Sequence, residues 1–217
     1  MVIKEVFFNH RGGKYAYRLN TEKIKKLCQG QFASLKTYLD FLIDNCPNHF
    51  FNDGPRSSCL RFKLVDNILG IAGHEISLLA YYGLEVNKDR YPDKHSQVQI
   101  FMLENDNNTL AMEVPIWLHP SELASYKNLF KSEEILTGHI DLLRIEDDKV
   151  WIWDYKPHAQ KEKYAPTQIF FYAYMLSKRT GIPLDKFFCG YFDQTYAFLF
   201  KPQQDFLLVL NKQRNLF

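Results

Sequence analysis

The run Val150-Trp151-Ile152-Trp153-Asp154-Tyr155-Lys156 is an apolar strand pattern closed by an acid and a base. Strand side chains alternate, so Asp154 and Lys156 leave the same face, one repeat apart. Burying both without a task or partners is costly. A salt bridge at a strand end explains the pair equally well, so alone it decides nothing. A second acid changes the balance. Asp141, in Gly138-His139-Ile140-Asp141-Leu142-Leu143, lies one tight turn upstream. If the two runs pair as a hairpin about Glu146-Asp147-Asp148-Lys149, the carboxylates approach each other and repel unless a cation lies between them. Oxygen ligands at that spacing suit a hard divalent ion such as Mg²⁺ or Mn²⁺. The Lys156 ammonium then stands where it can orient a water or meet a phosphate charge. Such a set supports metal-assisted hydrolysis.

Two further groups could serve the same place. Gln168 and Tyr172 are four apart in a helical pattern and share a face, although such a pair also reads as surface decoration. In Leu69-Gly70-Ile71-Ala72-Gly73-His74-Glu75-Ile76, His74 falls at the edge of an apolar stripe and Glu75 nearer its middle. The helical wheel alone picks Glu75 as the odd buried group, and a lone histidine is usually structural.

These residues need positioning elements. Val2 to Phe8 and Tyr15 to Leu19, about Gly12-Gly13, predict a hairpin. Thr21 can cap a short helix through Cys28, and Phe32, Leu35, Leu39 and Leu42 predict a second, ending before Pro47. Asn52 to Pro55 is a turn, and Leu64 to Tyr82 a longer helix. Val98 to Leu103, Leu110 to Leu118, Gly138 to Ile145 and Val150 to Tyr155 predict strands. A helix from Pro166 to Arg179, stopped by Gly181 and Pro183, precedes strands at Lys186 to Phe192 and Tyr196 to Phe200. This order implies an α/β layer with a mixed sheet flanked by helices.

Composition sets limits. The chain has 217 residues, 46% of them apolar, with 18 Phe and 13 Tyr, enough for a core and against global disorder. No apolar run approaches the roughly 20 residues that span a bilayer, and the N-terminus lacks an export pattern, so a soluble cytoplasmic protein is expected. The net charge of +2 does not by itself announce a polyanion partner, so contacts must come from local clusters such as Lys156-Lys161-Lys163. Cys28, Cys46, Cys59 and Cys189 lack zinc-ribbon spacing and read as buried thiols.

Four motifs in order resemble the RecB-like branch of the PD-(D/E)XK nucleases, which includes CRISPR-associated iron–sulfur exonucleases and recombination nucleases. They are L-G-x-x-x-H at Leu69-Gly70…His74, G-x-x-D at Gly138…Asp141, D-x-K at Asp154-Tyr155-Lys156 and Q-x-x-x-Y at Gln168…Tyr172. Glu113 resembles the strand glutamate that often precedes G-x-x-D. The resemblance implies a restriction-endonuclease-like core over 61–217, with 1–60 as an N-terminal elaboration. It makes His74, Asp141, Asp154 and the Tyr155 carbonyl metal ligands for Mg²⁺ or Mn²⁺, and prefers His74 to Glu75. Lys156 would serve the attacking water, and Gln168 and Tyr172 would steady the site or the DNA. Lys161 and Lys163 could hold flanking phosphates, with Tyr164 stacking on an unpaired base. The cysteine pattern departs from the iron–sulfur members, so no cluster is expected, and without helicase motifs unwinding needs a helicase or other repair protein. The implied activity is a sequence-nonspecific exonuclease acting on single-stranded DNA or duplex ends in repair, recombination or defence. A site- or structure-specific endonuclease and an inactive DNA-binding module are the alternatives on the same fold.

Overall fold

Arg11 and Gly12, both at positive φ, turn β1 (Ile3–His10) back on β2 (Gly13–Asn20). In this computed structural model, which describes residues 2–65 and 67–207, the end of the expected core at 208–217 lies outside the described residues. Asn20, and not the expected Thr21, caps α1 (Thr21–Leu27): its side chain accepts the Lys23 N–H at 3.1 Å, while the Thr21 hydroxyl donates to the Val2 carbonyl. The next helix, α2 (Ala33–Asn45), buries Leu35, Tyr38, Leu39 and Leu42 and stops before Pro47. There follow β3 (Leu69–Ala72), α3 (Glu75–Asn87), α4 (Lys94–Asn105), β4 (Thr109–Leu118), the short α5 (Tyr126–Phe130), β5 (Leu136–Glu146) and β6 (Lys149–Tyr155). The chain then forms α6 (Ala165–Thr180), β7 (Phe187–Phe192) and β8 (Tyr196–Phe200).

The strands make one sheet in the order β1-β2-β4-β5-β6-β7-β8-β3. Every pairing is antiparallel except β6 with β7, which are parallel because α6 carries the chain across between them. This is the expected α/β architecture, a mixed sheet flanked by helices. Two apolar layers hold it. Leu35, Leu39, Ile116, Leu143, Ile152, Phe170 and Phe171 pack α2 and α6 on one face. Ile76, Ala80, Val98, Met102, Met112, Leu142 and Trp153 pack α3 and α4 on the other. The N-terminal hairpin joins the sheet through Arg18↔Met112 and Leu19↔Ala111, and Tyr17, Leu19 and Ile24 belong to the first layer.

Two expected elements differ. The helix over Leu64 to Tyr82 is instead a strand followed by a helix. Leu69–Ala72 pairs with β8, Gly73 at φ 66 breaks the run, and His74 caps α3. The expected strand at Val98 to Leu103 is the middle of α4. Asp93 caps that helix by accepting the Ser96 N–H at 2.7 Å. Because α4 is packed against both α3 and the sheet, Gln97, Val98, Gln99, Ile100, Met102 and Leu103 are all buried. No polar face survives to mark a helical period, and Val98-Gln99-Ile100 mimics strand alternation. Cys28 and Cys189 are buried thiols as expected, but Cys59 is exposed. Among the described residues, no helix is long and apolar enough to cross a membrane.

Candidate active site

In the registers of β4, β5 and β6, Met112 stands opposite Leu142, and Leu142 opposite Trp153. One step along each strand places Glu113, Asp141 and Asp154 side by side where β6 ends. The Tyr155 N–H donates to Asp141 Oδ2 at 3.0 Å, tying the β5 acid to β6. Asp154 is fully buried. Lys156 Nζ lies 2.5 Å from Asp154 Oδ2, an ion contact that engages this buried oxygen.

Both helical layers reach these acids. From α6, Gln168 Nε2 donates to Asp154 Oδ1 at 3.2 Å and to the Tyr172 hydroxyl at 2.7 Å. From α4, Gln99 Nε2 donates to Glu113 Oε1 at 2.8 Å. One turn earlier on α4, His95 Nε2 is 3.9 Å from Asp141 Oδ2, and its ring meets Tyr155 edge-on. Gly138 makes the close approach of α6 feasible. A Cβ there would collide with Ser57 Oγ and the Tyr172 ring, so the first residue of the G-x-x-D motif has a steric reason to be glycine.

The cluster is short of positive charge. Asp141 is held well above the usual carboxylate range by burial, then by the Asp154 and Glu113 charges, against the pull of Lys156 and the Tyr155 N–H. Burial pushes Glu113 up to about 7, with Gln99 opposing and Asp154 adding to the rise. Burial works against the charge on Lys156, but Asp154 and Asp141 outweigh it and raise the ammonium above its ordinary value. Burial also lowers His95, while Asp154 pulls it upward and Lys156 downward. Three carboxylates beside one ammonium and an imidazole form a donor set that fits a hard divalent cation. Among the described residues no three such side chains already stand around a common point; the fit lies in the chemistry of the donors.

The structure therefore brings Asp141, Asp154, Tyr155, Lys156, Gln168 and Tyr172 together. It does not bring His74 to them. Leu69-Gly70 lies on β3 at the sheet's far edge, and His74 Nδ1 accepts the Ile76 N–H at 3.2 Å. Its ring lies against Trp153, and its charged neighbours are Glu75 and Arg144, not the aspartates. Glu75 is also elsewhere, with Oε1 3.1 Å from Arg144 Nη2 and its side chain largely exposed. His95 and Gln99 were missed because α4 reads as a strand. The available signal was Asp93 as a cap, followed by His95 and Gln99 four apart on one face. His139, inside G-x-x-D, is engaged by other partners than the acids: its Nε2 is 2.8 Å from His10 Nδ1, and its ring stacks on Tyr15. Lys161, Lys163 and Tyr164 line a cleft with Lys156 and Gln168.

A family model described as the PD-(D/E)XK nuclease superfamily matches residues 80–207. That span contains His95, Gln99, Glu113, Asp141, Asp154, Lys156, Gln168 and Tyr172, and leaves His74 outside. No curated protein matches the sequence. The mixed sheet flanked by helices is consistent with the superfamily's restriction-endonuclease-like fold. Its members use divalent metals such as Mg²⁺ or Mn²⁺, and membership implies a metal-dependent nuclease with DNA as substrate. Matched over more than half of its length, with Asp154 and Lys156 where β6 ends and Glu113 and Asp141 beside them within β4 and β5, the chain belongs to the PD-(D/E)XK nuclease superfamily.

Proposed function

We propose that this protein is a divalent-metal-dependent DNA exonuclease of the RecB-like branch, hydrolysing phosphodiester bonds without sequence preference in repair, recombination or defence. The observation that carries this reading is Asp141 tied by a backbone hydrogen bond to the strand of Asp154, with Lys156 in ion contact beside them. In this proposal Asp141, Asp154, Glu113 and the Tyr155 carbonyl would hold the ion, and His95 would take the place first expected for His74. A bound divalent ion supplies charge for the phosphate oxygens and acidity for the attacking water.

The chain's own residues do the rest. Lys156 orients the water for in-line attack on phosphorus, which expels the 3′ oxygen and leaves a 5′-phosphate. Gln168 fixes the Asp154 carboxylate, and Tyr172 fixes Gln168. Gln99 restrains Glu113 from the opposite face. Lys161, Lys163 and Tyr164 receive the flanking strand in a cleft beside Lys156. Unwinding of duplex DNA falls to a helicase or another repair protein acting with it.

The test is cleavage of end-labelled linear and closed circular DNA, single- and double-stranded, with Mg²⁺, Mn²⁺ or EDTA. Linear substrates should shorten from an end, circles should persist, and EDTA should stop the reaction. Cleavage of circles would replace the exonuclease with an endonuclease. Cleavage that continues in EDTA would remove the metal mechanism.

A further inference from the structure

Residues 54–64 lie outside the family match, yet they bridge the two elements, β5 and α6, that carry Asp141 and Gln168. Thr137 N–H donates to the Pro55 carbonyl at 3.0 Å, and Ser57 Oγ donates to the Thr137 carbonyl at 2.9 Å. Further along, the Leu64 N–H donates to Thr167 Oγ1 at 3.1 Å, and that hydroxyl donates to the Phe62 carbonyl at 2.7 Å. The segment is thus fastened at one end to β5, next to Gly138, and at the other to the first turn of α6, next to Gln168. Between the anchors it presents Ser58 and Arg61.

These two residues line a cleft of about 340 Å³ whose other walls are Lys156, Lys161, Glu162, Lys163, Tyr164, Ala165 and Gln168. The cleft is continuous with the acid cluster, since Lys156 and Gln168 belong to both. Its charge is lopsided: Lys156 is engaged by Asp154, while Arg61, Lys161 and Lys163 form no ion pair among the described residues, and Glu162 is the one acid in the lining. Arg61 is also held in place. Its Nη1 donates to the Ser58 and Leu60 carbonyls, both at 2.9 Å, and its guanidinium sits 5.8 Å from the Tyr164 ring centroid. A planar cation pre-set beside two lysines and a tyrosine matches one phosphate with an unpaired base.

We propose that Arg61 joins Lys161 and Lys163 in a subsite for one backbone phosphate of single-stranded DNA next to the scissile bond, with Tyr164 as the platform for its base. The N-terminal segment is then part of the substrate cleft. This inference rests on the nuclease reading for its choice of ligand, but it is tested without cleavage.

The full chain is titrated in EDTA against a short fluorescent oligothymidine, read by anisotropy across a salt series. Arg61→Ala should weaken binding roughly fivefold and lower the slope of log affinity against log salt by about 0.7, the loss of one phosphate contact on a single strand. Arg61→Lys should restore the slope but only part of the affinity, because it keeps the charge and loses the fork. Lys161→Ala with Lys163→Ala, approaching the same cleft from its other wall, should weaken binding in the same way. Lys25→Ala, at an exposed position of α1, should bind like wild type. Wild-type affinity and slope in Arg61→Ala would overturn the proposal, as would a wild-type protein that binds no oligonucleotide. Binding that depends on Arg61 in a protein that cuts nothing keeps this inference and removes the nuclease reading. Cleavage by a protein indifferent to Arg61 does the reverse.

Discussion

Asp141 Oδ2 accepts the backbone N–H of Tyr155 at 3.0 Å, so the acid of β5 is fixed to the residue that separates Asp154 from Lys156. The acid–acid–lysine arrangement is therefore set by the main chain of a hairpin and not by side-chain freedom. Loss of the Lys156 charge should leave that frame standing.

Lys156→Ala should reduce cleavage roughly 100-fold or more, the scale of a lost proton-handling or water-orienting group. It also removes the cation in contact with the fully buried Asp154, and breaking such a pair costs about 3 kcal/mol. Thermal denaturation in EDTA should show the loss, and Mn²⁺ should recover much of it. A variant with wild-type melting and wild-type cleavage would remove Lys156 from the site.

The two histidines separate cleanly. His95→Ala should weaken metal-dependent cleavage roughly tenfold, because the imidazole stands beside Asp141 and Tyr155. His74→Ala should leave cleavage near wild type and lower stability slightly, through its lost cap on α3. A Mn²⁺ titration of activity for both variants decides between them; the opposite ranking would restore the histidine that the motif order suggests.

The acid cluster leaves a mark on stability in the absence of metal. Glu113 is raised from 4.5 to about 7, so the folded state holds its proton more tightly than the unfolded chain does. Its stabilising contribution is present below about pH 4.5 and is lost as pH rises through 7; Asp141 acts in the same direction. His10, His74, His95, His119 and His139 are lowered by burial and act the other way as pH rises toward 6.5. The signal is thus the difference between wild type and Glu113→Gln in EDTA. Wild type should lose melting temperature relative to the variant between pH 4.5 and 7, and parallel profiles would contradict the raised carboxyl.

Removal of residues 1–60 should yield an aggregating remainder. Arg18 and Leu19 pair with β4, and Tyr17, Leu19, Ile24, Leu35 and Leu39 are buried in the larger apolar layer. Their loss opens a sheet edge and a core face together. Size-exclusion chromatography of residues 61–217 checks this; a soluble monomer would show that the hairpin is dispensable for folding.

What could be read without coordinates was what the chain specifies locally. The hairpin of β5 and β6 follows from two alternating runs about a polar turn, and the proximity of Asp141 to Asp154 comes with it. The end of α6 follows from Gly181 in the left-handed region. What failed was tertiary. Packing that buries α4 from several sides erases its period, and His95 disappears with it. Leu69-Gly70-Ile71-Ala72 is too short and uniformly small or apolar to distinguish strand from helix until β8 arrives to pair with it. The segment carrying Arg61 has no periodicity, and its place between β5 and α6 depends on Thr137 and Thr167, both far along the chain.

Glu113 has φ 53, a left-handed backbone state in the middle of β4 that most side chains avoid at a cost of roughly 1 kcal/mol or more. Glycine adopts that state without the steric cost. Glu113→Gly should therefore melt at a higher temperature without metal and yet digest DNA more slowly, so that heat resistance and catalytic competence trade against each other at a single residue. If the glycine variant is neither tougher nor slower, the awkward backbone is incidental to what this protein does.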